Sequence, residues 1–400
     1  MNIPEQSTLT ELITPIFRVD DVTVGRDAAG YLYRYRGLLT VADSAAAYDQ
    51  LSEALHPYGM MPLFRKEEDG RHLILLVALP ATPVLPNPIY NIILFVLTFL
   101  CMMFAGAVLP TIPQDDGSDI AMRLQYILTG LPFALSMMSI LLVHELGHYF
   151  ASRYHKMAVT LPFFIPFLSP PFGTMGAVIQ LKEAPKNKRT LLDVGIAGPL
   201  AGLVVAVPLL FIGLSQSALG PIPATPNNFL EGNSILYLFA KFAVFHQMLP
   251  APATYSMPPV LQWLAYFFSG MPSPAGGTDV FLGPVAWAAW GGLLVTSLNL
   301  IPAGQLDGGH MLYVLIGGKR LRALLPALMI VLTIFGIFSY SWLLWVLLLN
   351  FFGRMTDEPR DQITELGPGR RALAIFGVVV FFLVFMPVPF PASIFSFFQP

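Results

Sequence analysis

The chain has 400 residues, of which 55% are apolar (AVILMFWYC) and only 12% charged, with a formal net charge of −2. Soluble domains carry roughly 25% charged residues, so an all-soluble chain is excluded. So are a disordered chain and a basic nucleic-acid binder, since no basic run exceeds a pair. One cysteine, Cys101, rules out an internal disulfide and a cysteine-based zinc cluster.

Charge is unevenly distributed: residues 1–86 hold 18 of the 46 charged side chains. Met1 to Thr14 has Glu5 and Glu11, no Lys or Arg and no apolar core, unlike a secretory or transit segment. Phe17–Val24 and Tyr31–Leu39 alternate as strands, Val41–His56 has helical spacing, and Met61–Phe64 and His72–Leu79 return to strand character. A ββαββ unit over 1–86 follows, with a proline-rich linker at 80–88.

Beyond the linker, apolar stretches approach the ~20 residues that span a bilayer. Crossings are expected at about 89–110, 128–152, 193–214, 284–305, 322–338, 341–353 and 372–392. Residues 230–249 and 259–269 are also apolar, but Lys241, His246 and several prolines mark them as interfacial. With the N-terminal domain cytoplasmic, alternating sides places 20 Lys/Arg in cytoplasmic segments, and only Arg123 and Lys241 opposite. A bacterial plasma membrane is the expected location, with the N-terminus and the active-site side cytoplasmic. The fold expected is a polytopic α-helical membrane protein of about six to eight transmembrane helices. It carries a re-entrant loop or strand near the active site and a small N-terminal α+β soluble domain. Its divisions are 1–86, a membrane core at 89–320, and C-terminal transmembrane helices at 321–400.

Ionisable groups within hydrocarbon are costly and mark function. Here they cluster as His144, Glu145 and His148, an H-E-x-x-H pattern in the second crossing, with Asp307 just past the fourth. Positions i and i+4 share a helix face, so both imidazoles can bind one zinc while Glu145 polarises a water. With 7 histidines and 10 glutamates in the chain, roughly 0.003 such matches arise by chance. A helix with incidental polar residues is the bland alternative. A catalytic zinc takes three protein ligands and keeps one position open. His56 and His72 lie in the soluble domain, His155 on a basic loop and His246 across the membrane, which leaves Asp307 as the best third ligand. It falls at the same depth and face as His148.

These residues resemble the site-2 protease family of intramembrane zinc metalloproteases. The second signature, N-x-x-P-x-x-x-x-D-G, stands here as Asn299, Pro302, Asp307 and Gly308, and Gly173–Ala177 and Gly195–Pro199 also match. Tyr33–Gly37 and the lack of a recognisable PDZ or CBS domain are similar to the subgroup shared by bacteria and the chloroplast "ethylene-dependent gravitropism-deficient, yellow-green" proteases. The resemblance implies one Zn2+ held by His144, His148 and Asp307, Glu145 as catalytic base, and transmembrane protein substrates cleaved in or beside the bilayer. It departs at Gly283-Pro284, where relatives often carry His-Pro. Asn299 is a candidate for the developing oxyanion or the substrate backbone, its alternative being a bond within the broken end of its own helix. His310 reads as a loop or supporting residue.

Pro162, Pro166, Pro170 and Pro171 forbid a regular helix over 159–181, and Gly173–Leu181 reads as extended. Irregular backbone at membrane depth must be buried in protein or line a cavity. A re-entrant loop and strand that pairs with unwound substrate is expected there, with Gly173 and Gly176 as further substrate-site candidates; an interfacial loop with turn glycines is the alternative. A metal or ion transporter and a catalytically silent scaffold are the rival classes. Replacing Glu145 by Gln separates them: a protease keeps its zinc and loses cleavage, a transporter can keep its flux, and a scaffold is unaffected.

Overall fold

The computed structural model describes residues 4–25, 30–82, 84–108, 125–169, 171–222, 230–274, 276–353 and 358–390. Arg26, Arg123, Arg354 and Pro170, and the expected crossing ends at 109–110 and 391–392, lie outside the described residues.

Near the N-terminus, four antiparallel strands form a sheet of order β1-β2-β4-β3: β1 (Phe17–Val24), β2 (Tyr33–Leu39), β3 (Met60–Lys66) and β4 (His72–Ala78). Helix α2 (Ser44–Leu55) starts where Asp43 accepts a bond from the Ala45 N–H, a side-chain cap for an orphan donor. Its Ala47, Tyr48, Leu51 and Leu55 lie on one face and bury against Phe64, Ile74 and Leu76. Helix α1 (Gln6–Ile13) adds Leu9 and Ile13 to the same core.

Edge strand β3 is not left open. Phe64 donates its N–H to Arg360 O (2.9 Å) and accepts from Gln362 N (3.1 Å). On its other side the same short segment donates from Arg360 N to Pro185 O and from Asp361 N to Lys186 O. Asp361 is fully buried and its carboxylate accepts from Ser44 Oγ, Thr364 Oγ1 and the Ile363 and Thr364 N–H groups. A late stretch of chain thus stitches the N-terminal sheet to the entrance of a membrane helix.

The remaining described elements are helical, with two small two-stranded sheets (β5 with β6, β7 with β8): α3 (Pro88–Val108), α4 (Leu131–Tyr154), β5 (Phe163–Pro166), β6 (Thr174–Val178), α5 (Lys188–Ser215), β7 (Ala218–Pro221), α6 (Ile235–Phe245), α7 (Pro259–Ser269), β8 (Thr278–Phe281), α8 (Pro284–Asn299), α9 (Asp307–Ile316), α10 (Gly318–Phe335), α11 (Ser341–Phe352) and α12 (Pro368–Val384). Among the described residues, three helices are long and apolar enough to cross a membrane: Pro88–Ala107, Leu131–Tyr154 and Lys188–Ser215. They correspond to the first three expected crossings. The expectation of six to eight is corrected by the other four. Helix α8 ends at 16 residues, just ahead of Pro302, because a proline disfavours helical backbone at the residue before it. Helix α10 opens on Lys319, Arg320 and Arg322, α11 has 12 residues, and α12 has 17 with Arg370 and Arg371 in its first turn.

The segment read as interfacial also differs. Lys241 is fully buried: its Nζ lies 3.4 Å from Asp279 Oδ1, 3.7 Å from Glu231 Oε1, and 4.5 Å above the Tyr237 ring. It is an internal ion-pair partner, not a surface charge.

Candidate metal centre

The centre is assembled by two helices and one broken helix. On α4, His144, Glu145 and His148 are all buried. Helix α8 terminates at Asn299, the chain turns through residues 300–306, and Asp307 opens α9. The glycines after Asp307 permit this tight return. A Cβ on Gly308 would meet Ile301 O at 2.6 Å, and one on Gly309 would meet Ala303 C at 2.7 Å. The first turn of α9 can therefore lie directly on the backbone leaving α8.

His144 Nε2 and His148 Nε2 are 3.1 Å apart, and Asp307 Oδ2 is 3.6 Å from the first and 3.3 Å from the second. Zinc–ligand bonds of ~2.0–2.1 Å at a tetrahedral angle put neighbouring ligand atoms ~3.3 Å apart. The three atoms match that triangle. All three ligand atoms lie within 4.8 Å of one another, and His144, His148 and Asp307 are the one such group among the described residues. His148 Nδ1 lies 2.8 Å from the Val194 carbonyl on α5; donating its N–H to that acceptor leaves the Nε2 lone pair facing the cluster. A carboxylate and two imidazole nitrogens converging in this way fit a single divalent cation.

Asn299 Nδ2 is 3.1 Å from His144 Nε2, so the amide borders the cluster and is not spent on its own helix end. Glu145 lies beside the backbone N–H of Ile179, the residue that follows β6. Strand β6 pairs antiparallel with β5 (Phe163↔Val178, Phe164↔Ala177), and β5 is tied to α3 by Asn91 Nδ2, which donates to Leu161 O and Pro162 O. Among the described residues this sheet has two strands. Gly173 has φ +72°, and a Cβ there would meet Met102 Cα at 2.7 Å, so its duty is the approach to α3. Gly176 has φ +104° with nothing near its missing Cβ, and its N–H is taken by Thr174 Oγ1. His310 is buried on α9 against Gly195 of α5.

Sequence reasoning overlooked what α5 contributes. Its Gly198 carries no Cβ where one would fall on His148 Nε2 and 2.5 Å from His148 Cε1; at Gly202 a Cβ would come 3.2 Å from His144 Cβ. The stripe Gly195, Gly198, Gly202, spaced at three and four residues on one helix face, was the readable signal. The Val194 carbonyl and the Ile179 N–H left no such signal, because any residue supplies them.

Comparison with known proteins agrees with this geometry. The model of Peptidase family M50 matches residues 132–340. Probable zinc metalloprotease EGY1, chloroplastic, of Oryza sativa subsp. japonica is 28% identical over 68% of this chain and 43% of its own length. Probable zinc metalloprotease EGY2, chloroplastic, of Arabidopsis thaliana is 31% identical over 69% of this chain and 45% of its own. The chain thus spans less than half the length of these relatives. No solved structure matches. The expected bacterial plasma-membrane location is corrected by these relatives, which are chloroplastic proteins of plants. A Lys/Arg imbalance reports the sidedness of spans and says nothing of which membrane holds them. The matched stretch exceeds half the chain and contains His144, Glu145, His148 and Asp307; the chain belongs to peptidase family M50, and within it is similar to the EGY proteases.

Proposed function

We propose that this chain is an intramembrane zinc metalloendopeptidase that hydrolyses a peptide bond in or next to a transmembrane helix of membrane-protein substrates. The observation that carries this reading is the ~3.3 Å triangle of His144, His148 and Asp307, set beside the buried Glu145 in a helix able to span a bilayer. His144, His148 and Asp307 would hold one Zn2+. When bound, it supplies Lewis acidity to the scissile carbonyl and lowers the pKa of a bound water to about 7.

The chain's own residues do the rest. Glu145 takes the proton of the attacking water and passes it to the leaving amine. Asn299 is placed to donate a hydrogen bond to the carbonyl oxygen as negative charge grows on it. A helical substrate must unwind before its peptide bond can be attacked, and the outer edge of β6 offers N–H and C=O groups to receive an extended backbone. Gly173 turns the hairpin against α3, and Gly176, with open space beside its Cα, keeps that edge clear of side-chain bulk. In the domain organisation we propose, residues 1–86 fold as the N-terminal unit and 89–320 as the catalytic membrane core. Residues 321–400 supply C-terminal helices, plus the segment around Asp361 that docks the first unit onto the second.

Metal analysis of purified protein, paired with cleavage of a generic membrane-helix substrate, tests the reading. Wild type and Glu145→Gln should each carry about one zinc per chain, chelator should abolish wild-type cleavage, and Glu145→Gln should cleave at least ~100-fold more slowly. A protein without zinc, or cleavage indifferent to chelator, overturns it.

A further inference from the structure

Three helix ends meet beside the centre at a charged knot that the proposed mechanism does not use. Asp193, in the second turn of α5, accepts from both ends of the Arg370 fork: Nε to Oδ1 at 2.9 Å and Nη2 to Oδ2 at 2.7 Å. Its Oδ2 also lies 3.0 Å from Nε2 of His155, the residue that caps the C-terminus of α4. The Asp193 and His155 side chains are 20% and 17% exposed, so their bond is mostly shielded from water, while Arg370 approaches from the more open side. Arg370 stands in the first turn of α12, where the helix dipole disfavours a cation. A side chain kept there against its own helix is held by its partner.

What the knot fixes is the register of α5 against α4. The residue after Asp193 is Val194, whose carbonyl receives His148 Nδ1. Rotating or sliding α5 moves that carbonyl and swings the imidazole with it. The other arm reaches the carboxylate ligand: α12 packs on α9, where Gly377 lies against Met311, and α9 begins at Asp307.

Building on the metal-centre reading above, we propose that Asp193 is a positioning residue for the metal ligands. It is clamped by Arg370 and His155 and acts on His148 through the Val194 carbonyl and on Asp307 through α12. Groups bonded directly to a metal ligand, as the Val194 carbonyl is to His148, tune affinity by 10–100-fold when removed or displaced.

Full-length protein is purified, stripped with chelator and titrated with Co2+, following both the dissociation constant and the ligand-field absorption of the bound ion. Asp193→Asn keeps the shape and removes the charge. Co2+ binding should weaken 10–100-fold, with an altered absorption spectrum, since a ligand held at the wrong angle changes the field. Arg370→Gln should shift both readouts in the same direction, and Arg370→Lys, which keeps the charge but loses the fork, should recover part of the affinity. If Asp193→Asn does not yield folded protein, Arg370→Gln, at the half-exposed end of the knot, decides alone. Wild-type affinity and spectrum in the variants overturn the positioning role while leaving the metal centre standing. Failure of the wild type itself to bind Co2+ overturns the metal centre and the positioning role together.

Discussion

Gly198→Ala is the smallest change that should empty the metal centre. The added Cβ would sit on His148 Nε2 and 2.5 Å from His148 Cε1, whereas ordinary contact begins at 3.4 Å. The ring must retreat by more than 0.9 Å, since its Nε2 lies closer still than Cε1, and that is several times the ±0.2 Å within which a metal–ligand distance is acceptable. Gly202→Ala is the internal control, because its Cβ would lie 3.2 Å from His144 Cβ and Nδ1 and asks for only a few tenths of an ångström. Both substitutions raise helix propensity by ~0.8–1.0 kcal/mol, so weaker α5 cannot account for a difference between them. Zinc content after dialysis, with competition against a chelator of known affinity, is the assay. Gly198→Ala should lose at least ~100-fold in affinity and its cleavage with it, while Gly202→Ala should keep both within a few-fold. A Gly198→Ala protein that retains one zinc at wild-type affinity would falsify the placement of α5 against His148.

Burial, then the neighbouring Asp279 carboxylate, push Glu231 up to about 7. The folded chain therefore holds a proton that the unfolded chain has released, and this stabilisation, complete below the ordinary carboxylate range, fades as pH rises through about 7. Glu231→Gln should flatten the decline of thermal stability between pH 5 and pH 8 relative to wild type; parallel profiles would contradict the assignment. Asp361→Ala removes the acceptor for Ser44, Thr364 and two backbone N–H groups. At ~1.5–3 kcal/mol for each charge-assisted bond, the docking of β3 should loosen. Hydrogen exchange at Phe64 and Gln362 should accelerate at least tenfold, and unchanged protection there refutes the stitching role.

Local patterns were legible where side chains carry the information. The ββαββ alternation marks four strands and α2 within a few residues of their observed bounds, and residue type and depth point to His144, His148 and Asp307, which the fold brings together. Helix α1 carries little signal because only Leu9 and Ile13 are fully buried, with Leu12 partly so, too few apolar residues to show a period. The later crossings were overcounted because apolar composition extends past the points where Pro302 and the basic residues at 319–322 end or charge the helices. The pairing of residues near 360 with β3 had no local signature, since its partners are almost 300 positions away.

That distance bears on how the molecule is made. The Phe64 backbone groups of β3 that pair with Arg360 and Gln362 emerge from the ribosome 296 and 298 positions ahead of those partners, and at 5–20 residues per second the wait is roughly 15–60 s. Throughout that interval an unsatisfied strand margin faces the crowded surface of a membrane where other nascent chains are inserting, and such margins recruit foreign strands. Assembly of the head is therefore paced by insertion of the tail, and a chain truncated before residue 360 should emerge sticky as well as incomplete.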